Sequence, residues 1–149
     1  IEKGVYPLEF MDGEEYRKLL DKTYGYSIED RLLLSKKWVE IVHEKNRLGI
    51  NVIISTVSHK KVMREYARSK IPRFMEVFLD CSPEVCAKRD HKGHFQLAQM
   101  GEYNLFPGVT EAYEPSDAPE LILKTDETPL TECSNILYRE VSIFLGLDS

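Results

Sequence analysis

Long apolar runs and an excess of positive charge are both missing from this chain of 149 residues. No stretch approaches the roughly 20 apolar residues that a membrane-spanning helix requires, so we expect no membrane anchor in it. The net charge of −5 argues against nonspecific binding to nucleic acid or to anionic lipid. A local basic pocket for a small anion remains compatible with that charge, and a small molecule is the favoured partner.

Cysteine is scarce, and its spacing matches no zinc motif. Cys81, Cys86 and Cys133 are odd in number. Free cysteines are among the most frequently buried residues. We therefore expect reduced, mostly buried thiols and a cytoplasmic location, with redox sensing as the less favoured interpretation.

Short apolar segments alternate with amphipathic ones along the chain. Strands that alternate with helices are typical of a parallel α/β sheet with helices on both faces. No internal repeat occurs and the length allows one sizeable core, so we expect a single domain over residues 1–149. The predicted strands are Val5–Met11, Ile50–Ser55, Phe74–Leu79 and Leu121–Lys124, and the predicted helices are Glu14–Asp21, Ile28–Leu48, Lys60–Ser69, Pro83–Lys88 and Pro129–Leu145.

Residues 88–115, which we call the lid segment, separate a short predicted helix from the last predicted strand. The segment is too polar and too rich in turn-forming residues to be core, yet it holds Phe95 and Phe106 beside charged groups. Loops longer than about a dozen residues in compact domains are usually lids, binding loops or disorder. We expect this segment to close over whatever the protein binds.

The carboxyl ends of the predicted strands indicate a binding edge, because ligands of open parallel sheets lie beyond those ends. Asp12 is the best catalytic candidate, since a carboxylate there could orient a hydroxyl or accept its proton. By position alone, Asp12 is more often the cap of the helix that follows. The segments at the strand ends are Asp12–Glu14, Thr56–Ser58, Asp80–Ser82 and Thr125–Asp126.

Two arginines and two aromatic residues are further candidates for ligand binding. Arg17 lies about a turn into the first helix. Arg31 lies in the first turn of the next helix, where the helix dipole disfavours a cation, so an anionic ligand would explain it. Tyr26 and Phe106 could sandwich a flat ring, since aromatic side chains stack on nucleobases. Taken alone, each aromatic residue is more often part of a core.

Taken in order, these segments resemble the adenylylsulfate (APS) kinase family of P-loop kinases. The resemblance covers nearly the whole chain and is specific as an ordered series. DGEEYR at 12–17 is similar to the family's DGDNxR, YSIEDR at 26–31 to its FSxxDR, EVFLDCSPEVCAKRD at 76–90 to EVFVDxPxEVCxxRD, KGHF at 92–95 to KGLY, and GEYNLFPGVTEAYEP at 101–115 to GEIKxFTGIxxPYEx.

The resemblance implies a P-loop-kinase-like three-layer fold and a phosphoryl transfer from MgATP to the 3′-hydroxyl of APS, which yields PAPS in sulfate assimilation. It implies ATP and Mg²⁺ as cofactors and leaves the oligomeric state open, with a homodimer as one option. The family's roles fall on a carboxylate beside the accepting hydroxyl, on arginines that hold the phosphosulfate, on aromatic rings that clamp the adenine, and on a lid lysine near the phosphates. By residue these are catalytic Asp12, substrate-binding Arg17, Tyr26, Arg31, Ser58, Lys92 and Phe106, and nucleotide-binding Arg89 and Thr125.

Several positions depart from the family's motifs. The Asn that follows DGD is Glu15 here, which adds negative charge near an anionic substrate. The family's paired Lys in KGLYKKA is replaced by Gln96 and Leu97, ENIRR reads LLSKK at 33–37, and FISPYR reads TVSHKK at 56–61. These changes leave a different nucleotide or a nucleotide-sugar-like molecule open as the acceptor.

The phosphate-binding motif G-x-x-x-x-G-K-[ST] does not occur in this sequence. The family has it, with a central strand and a helix, before the DGDN segment. We therefore expect a fragment, in which the strands beside the missing one present unpaired edges. The alternatives are a regulatory relative that binds nucleotide without transferring phosphate and another small-molecule P-loop kinase.

Overall fold

The computed structural model describes residues 7–20 and 24–147, in two compact units that divide after Phe74. Each unit contains one pair of parallel strands together with helices. The start of the first predicted strand, at Val5, and the predicted end of the first helix, at Asp21, lie outside the described residues. The expected single domain over residues 1–149 stays a prediction.

The first unit places three helices around a two-stranded parallel sheet. Asp12 pairs with Ser55, so the two strands end at the same level and their following segments begin side by side. The core at this sheet consists of the buried residues Met11, Leu34 and Trp38. Its elements are β1 (Leu8–Asp12), α1 (Gly13–Lys18), α2 (Ile28–Arg47), β2 (Asn51–Ser55) and α3 (Lys61–Lys70).

Helix α2 begins and ends where its local sequence predicts. The hydroxyl of Ser27 accepts a hydrogen bond from the backbone N–H of Asp30 at 3.1 Å, which caps the first turn. Gly49 follows the last turn with φ of 77°, a left-handed conformation that glycine adopts without steric cost. In the described part of the chain, no helix is both long and apolar enough to span a bilayer.

The second unit repeats the parallel pairing. Val77 pairs with Leu121 and Asp80 with Lys124, so the carboxyl ends of these strands also meet. Leu123 and Cys133 are buried. The elements are β3 (Val77–Asp80), α4 (Pro83–Lys88), α5 (His94–Gln99), β4 (Leu121–Lys124) and α6 (Leu130–Leu145).

The parallel α/β class predicted from the sequence is confirmed, with one difference in detail. Among the described residues, β1 hydrogen-bonds to β2 and β3 to β4. The lid segment, predicted to be a polar loop, contains helix α5. Gly93, with φ of 74°, immediately precedes α5 and follows the turn at 91–92.

Candidate functional site

An open pocket of about 170 Å³ lies in the first unit, at the carboxyl ends of β1 and β2. Four of the residues predicted to bind substrate line it: Arg17, Tyr26, Arg31 and Ser58. They come from α1, from the segment before α2, from α2 itself and from the segment after β2. The parallel register of the two strands brings these separate segments to one place.

Gly13 allows α1 to start directly against the end of β2. A Cβ atom on this residue would lie 2.9 Å from the carbonyl oxygen of Ser55 and 3.0 Å from Cβ of Thr56. The first of these contacts is with backbone, which cannot move away cheaply. Glycine is therefore required at the second position of the Asp-Gly pair.

Asp12 caps α1, which is the simpler of the two roles considered from the sequence. Its Oδ1 atom accepts hydrogen bonds from the backbone N–H groups of Glu14 at 2.9 Å and Glu15 at 3.1 Å. Because Oδ1 makes both bonds, the cap does not need Oδ2. Asp12 does not line the pocket, although its neighbour Gly13 does. The catalytic role of Asp12 stays a prediction.

Tyr26 lies against two guanidinium groups. Cζ of Arg17 is 4.5 Å from the centroid of the Tyr26 ring, and Cζ of Arg31 is 5.5 Å from it. The Nε–H of Arg31 donates a hydrogen bond to the carbonyl oxygen of Tyr26 at 3.0 Å. Tyr26 is 66% exposed, so it is not a core residue. The structure therefore presents an accessible ring flanked by two cations.

The charge of this cluster favours an anion. The pKa of Arg31 is lowered, first because burial removes water from the guanidinium and second because the positive charge of Arg17 is nearby. A bound anion would reverse both effects, since it replaces lost hydration and separates the like charges. Planar guanidinium groups are suited to binding phosphate or sulfate through paired hydrogen bonds.

The extra carboxylate at Glu15 is paired outside the pocket. Nζ of Lys18 donates a hydrogen bond to Oε1 of Glu15 at 2.9 Å, and this contact is the main reason that the pKa of Lys18 is raised. Lys18 also lies 3.8 Å from Glu14, and Glu15 does not line the pocket. The added negative charge is therefore offset locally by Lys18.

Two residues outside the predicted site, Trp38 and Arg64, support the pocket. Trp38 lines it, seven residues after Arg31 on α2, and its ring meets the ring of Tyr16 at 80° with the centroids 6.2 Å apart. The buried Arg64 of α3 donates a hydrogen bond to the carbonyl oxygen of Ser58. Trp38 could have been predicted from its spacing, because residues seven apart, such as Arg31 and Trp38, lie on the same face of a helix. No local pattern distinguishes Arg64 from the other cations of α3.

In the second unit, the two predicted nucleotide-binding residues contact each other beyond β3 and β4. Arg89 donates a hydrogen bond to the carbonyl oxygen of Thr125 at 3.0 Å, and the hydroxyl of Thr125 donates to the carbonyl oxygen of Asp80 at 3.2 Å. The backbone N–H of Ser82 donates to Asp126 at 2.9 Å and is the main cause of the lowered pKa of Asp126. Hydrogen bonds therefore connect the segment that follows β3 to the segment that follows β4.

Phe106 belongs to a cluster of aromatic rings within the lid segment. It packs edge-to-face with Phe95, with ring centroids 5.0 Å apart, and lies nearly parallel to Tyr103 at 5.8 Å. Lys92 is exposed, and its backbone N–H donates a hydrogen bond to Asp90 at 3.2 Å. The structure thus places Phe106 in ordered packing and Lys92 at the surface of the same segment.

The three cysteines are free thiols, but only one is buried. Cys133 is buried, whereas Cys81 and Cys86 are half-buried. Burial, followed by the contact with Cys81, raises the pKa of Cys86 to about 11. The expectation of mostly buried thiols is therefore met fully by Cys133, whereas Cys81, directly after β3, and Cys86, in the short helix α4, are only half-buried.

Comparison with known proteins decides the family. A family model described as adenylylsulphate kinase matches residues 1–124. The chain belongs to the adenylylsulphate kinase family. Its similarity to other adenylylsulphate kinases extends over most of their length. The adenylyl-sulfate kinase of Synechococcus sp. (strain JA-3-3Ab) is 33% identical over 135 residues, which are 91% of this chain and 77% of that one. The adenylyl-sulfate kinase of Gloeothece citriformis (strain PCC 7424) is 38% identical over 130 residues, which are 87% and 74% of the two chains.

A solved structure supports the same conclusion. The Mycobacterium tuberculosis APS kinase CysC, in complex with AMPPNP and APS, has a TM-score of 0.80 to this chain at 26% sequence identity. The match covers 91% of this chain and 80% of that one. The family and the P-loop-kinase fold predicted from the ordered motifs are therefore confirmed for this adenylylsulphate kinase family member, and the relatives' names place it among kinases. The roles of individual residues stay predictions.

Proposed function

We propose that this chain carries the activity of its family, the transfer of the γ-phosphate of ATP to the 3′-hydroxyl of APS to give PAPS. The observation that carries the proposal is the pair of guanidinium groups, on Arg17 and Arg31, that flank the exposed ring of Tyr26 in one pocket. The phosphosulfate of APS is an anion and its adenine is a flat ring. The cluster offers a group suited to each.

Arg17 and Arg31 are proposed to hold the phosphosulfate. Arg31 uses its Nε–H for the carbonyl of Tyr26, which fixes the plane of its guanidinium and leaves its other N–H donors for the ligand. Tyr26 is proposed to stack on the adenine, as the resemblance implies. Ser58 is proposed to contact the same substrate from the segment after β2, which Arg64 holds in place.

Asp12 is proposed to orient the 3′-hydroxyl and to accept its proton at Oδ2, because Oδ1 is engaged in the helix cap. The cap fixes the carboxylate relative to β1. Phosphoryl transfer depends mainly on positioning and on stabilisation of charge, so a rigid carboxylate is well suited to this step. Lys92 and Phe106 of the lid segment keep their proposed roles toward the phosphates and the adenine.

Arg89 and Thr125 are proposed to contact the nucleotide. Mg²⁺ is proposed to arrive bound to ATP. Within the described ranges, no group of three His, Cys, Asp or Glu side chains is placed to hold a metal ion. Mg²⁺ keeps several waters and takes much of its coordination from substrate phosphates, so such a group is not required.

We also propose a cytoplasmic location, since free thiols such as these persist in reducing compartments.

The test is transfer of phosphate from ATP to APS by the full-length gene product in the presence of Mg²⁺, measured as PAPS. A panel of other nucleotides and nucleotide sugars is assayed in parallel, because the departures at Gln96 and Leu97 concern the lid. Transfer to APS in preference to the panel supports the proposal. Transfer to another acceptor alone contradicts it. Binding of APS without transfer would instead identify a regulatory, nucleotide-binding domain.

A further inference from the structure

His94 and Tyr103 occupy two positions at which the lid segment departs from the family's motifs. The KGLY and GEIKxF patterns have Leu and Ile there, whereas this chain has an imidazole and a phenol. Two aliphatic side chains could pack together but could neither hydrogen-bond nor stack on an aromatic ring. The two halves of this lid segment are therefore connected in a different way.

The connection is a direct contact between the two side chains. Nδ1 of His94 lies 3.0 Å from the hydroxyl oxygen of Tyr103, and the two ring centroids are 6.0 Å apart. His94 is the first residue of α5, and Tyr103 lies in the segment between α5 and Phe106. The hydrogen bond thus joins the start of the lid helix to the residues that precede Phe106.

Tyr103 in turn packs against the ring of Phe106. The two rings lie nearly parallel, with an angle of 14° between their planes and 5.8 Å between their centroids. Phe95, next to His94, meets Phe106 at 76° with centroids 5.0 Å apart. All of these rings are half-buried, so Phe106 is held by neighbours from both halves of the lid segment.

The backbone of Phe106 is fixed separately. Its N–H donates a hydrogen bond to the hydroxyl of Thr110 at 2.7 Å. Its carbonyl oxygen accepts from the N–H groups of Val109, Thr110 and Glu111 at 3.0–3.2 Å. These bonds define where the side chain starts, and the contacts with Tyr103 and Phe95 define its tilt.

We propose that Tyr103, held by His94, is a positioning residue that orients Phe106 to stack on the adenine of the acceptor nucleotide. The inference rests on the proposed function, in which Phe106 contacts that adenine. A ring that is already held in its bound orientation loses less conformational freedom on binding, which strengthens the stacking contact. The effect of Tyr103 should therefore appear only with ligands that carry a base.

The test compares the dissociation constants of APS and of inorganic pyrophosphate, an anion without a base, by calorimetry on the full-length protein. Tyr103→Leu should weaken APS binding about 2- to 12-fold, the effect expected from one aromatic pair, and leave pyrophosphate binding unchanged. Tyr103→Phe and His94→Leu should each cause a smaller loss of APS affinity. The variant that carries both of these substitutions should lose no more affinity than either single variant. Tyr138→Leu is the matched control, since Tyr138 is 76% exposed on α6.

Two results would overturn the inference while the proposed function stands. One is APS binding by Tyr103→Leu that equals the wild type, and the other is an equal loss for APS and pyrophosphate. Failure of the wild-type protein to bind APS would contradict the proposed function and this inference together. If Tyr103→Leu does not fold in a denaturant titration, Tyr103→Phe and His94→Leu decide by the same comparison.

Discussion

Replacing Arg31 by glutamine should remove a direct contact with the acceptor's anionic group while keeping the length of most of the side chain. Arg31 is half-buried, its Nε–H is engaged by the carbonyl of Tyr26, and Cζ of Arg17 lies 4.5 Å from the centroid of the Tyr26 ring. A neutral amide in its place cannot pair with phosphate or sulfate through two charged hydrogen bonds. We therefore expect APS affinity to fall.

The size of the loss follows from the lost contact. A hydrogen bond to a charged group contributes about 1.5–3 kcal/mol, which corresponds to about a 10- to 150-fold increase in Kd. The bond to the carbonyl of Tyr26 is also lost, so the free energy of unfolding should fall by about 1 kcal/mol. This second loss is small, and the variant should remain folded.

Trp38 provides the assay, since it is the single tryptophan of the chain and lines the pocket. Its fluorescence during titration with APS gives Kd for the wild type and for Arg31→Gln, and a urea titration reports folding. Arg47→Gln is the matched control on the same helix: its 3.6 Å ion pair with Glu44 is 69% exposed on both sides. Exposed pairs of this kind contribute about 0–1 kcal/mol, so the control should bind APS as the wild type does.

Equal Kd values for the wild type and Arg31→Gln would refute the assignment of Arg31 to the anion. A similar loss in Arg47→Gln would also refute it, because the effect would then be one of overall charge. A selective loss in Arg31→Gln, with a urea midpoint close to that of the control, supports the geometry described for the pocket.

Three further changes test other parts of the first unit. Asp12→Asn should abolish phosphate transfer with little change in APS affinity or stability, because asparagine also caps helices well; turnover at the wild-type rate would contradict the proposed role of Asp12. Gly13→Ala should destabilise the fold by about 1–3 kcal/mol in a urea titration, since its Cβ would meet the carbonyl oxygen of Ser55 at 2.9 Å. An unchanged midpoint would show that the end of β2 can shift to make room for the Cβ atom. The pKa of Glu9 is lowered, first by the hydrogen bond from Lys45 and then by that from Tyr16. The ionised carboxylate therefore stabilises the folded protein fully above its ordinary pKa of 4.5, and this stabilisation is lost as the pH falls through the lower pKa of the folded state. Glu9→Gln should therefore be less stable than the wild type at pH 7, with the difference shrinking in acid, and a difference that does not vary with pH would contradict this assignment.

The predicted binding residues of the first unit could be read from the sequence because each lies at a point that local patterns define. Asp12 and Ser58 follow predicted strands, and Arg31 lies in the first turn of a helix that Ser27 caps. The rule that ligands bind beyond the carboxyl ends of parallel strands then places these residues at one edge. The pocket lined by Arg17, Tyr26, Arg31 and Ser58 agrees with that placement.

The contacts between side chains of different segments could not be read in this way. Arg64 reaches the carbonyl oxygen of Ser58 from α3, and Tyr103 reaches His94 across α5. Each depends on side-chain rotamers and on packing that several segments decide together.

The sequence by itself determined the order of the elements apart from α5, the capped start of α2, the Asp-Gly pair at the end of β1, and the family. These features depend on neighbouring residues, on hydrophobic period and on ordered motifs, all of which are local in the chain. Only the tertiary structure decided that Asp12 uses Oδ1 as a helix cap and that two guanidinium groups flank Tyr26. It also decided that the rings of Phe106 and Tyr103 lie nearly parallel. Such arrangements depend on distances between atoms of different segments, and those distances are defined only when the strands pair and the helices pack.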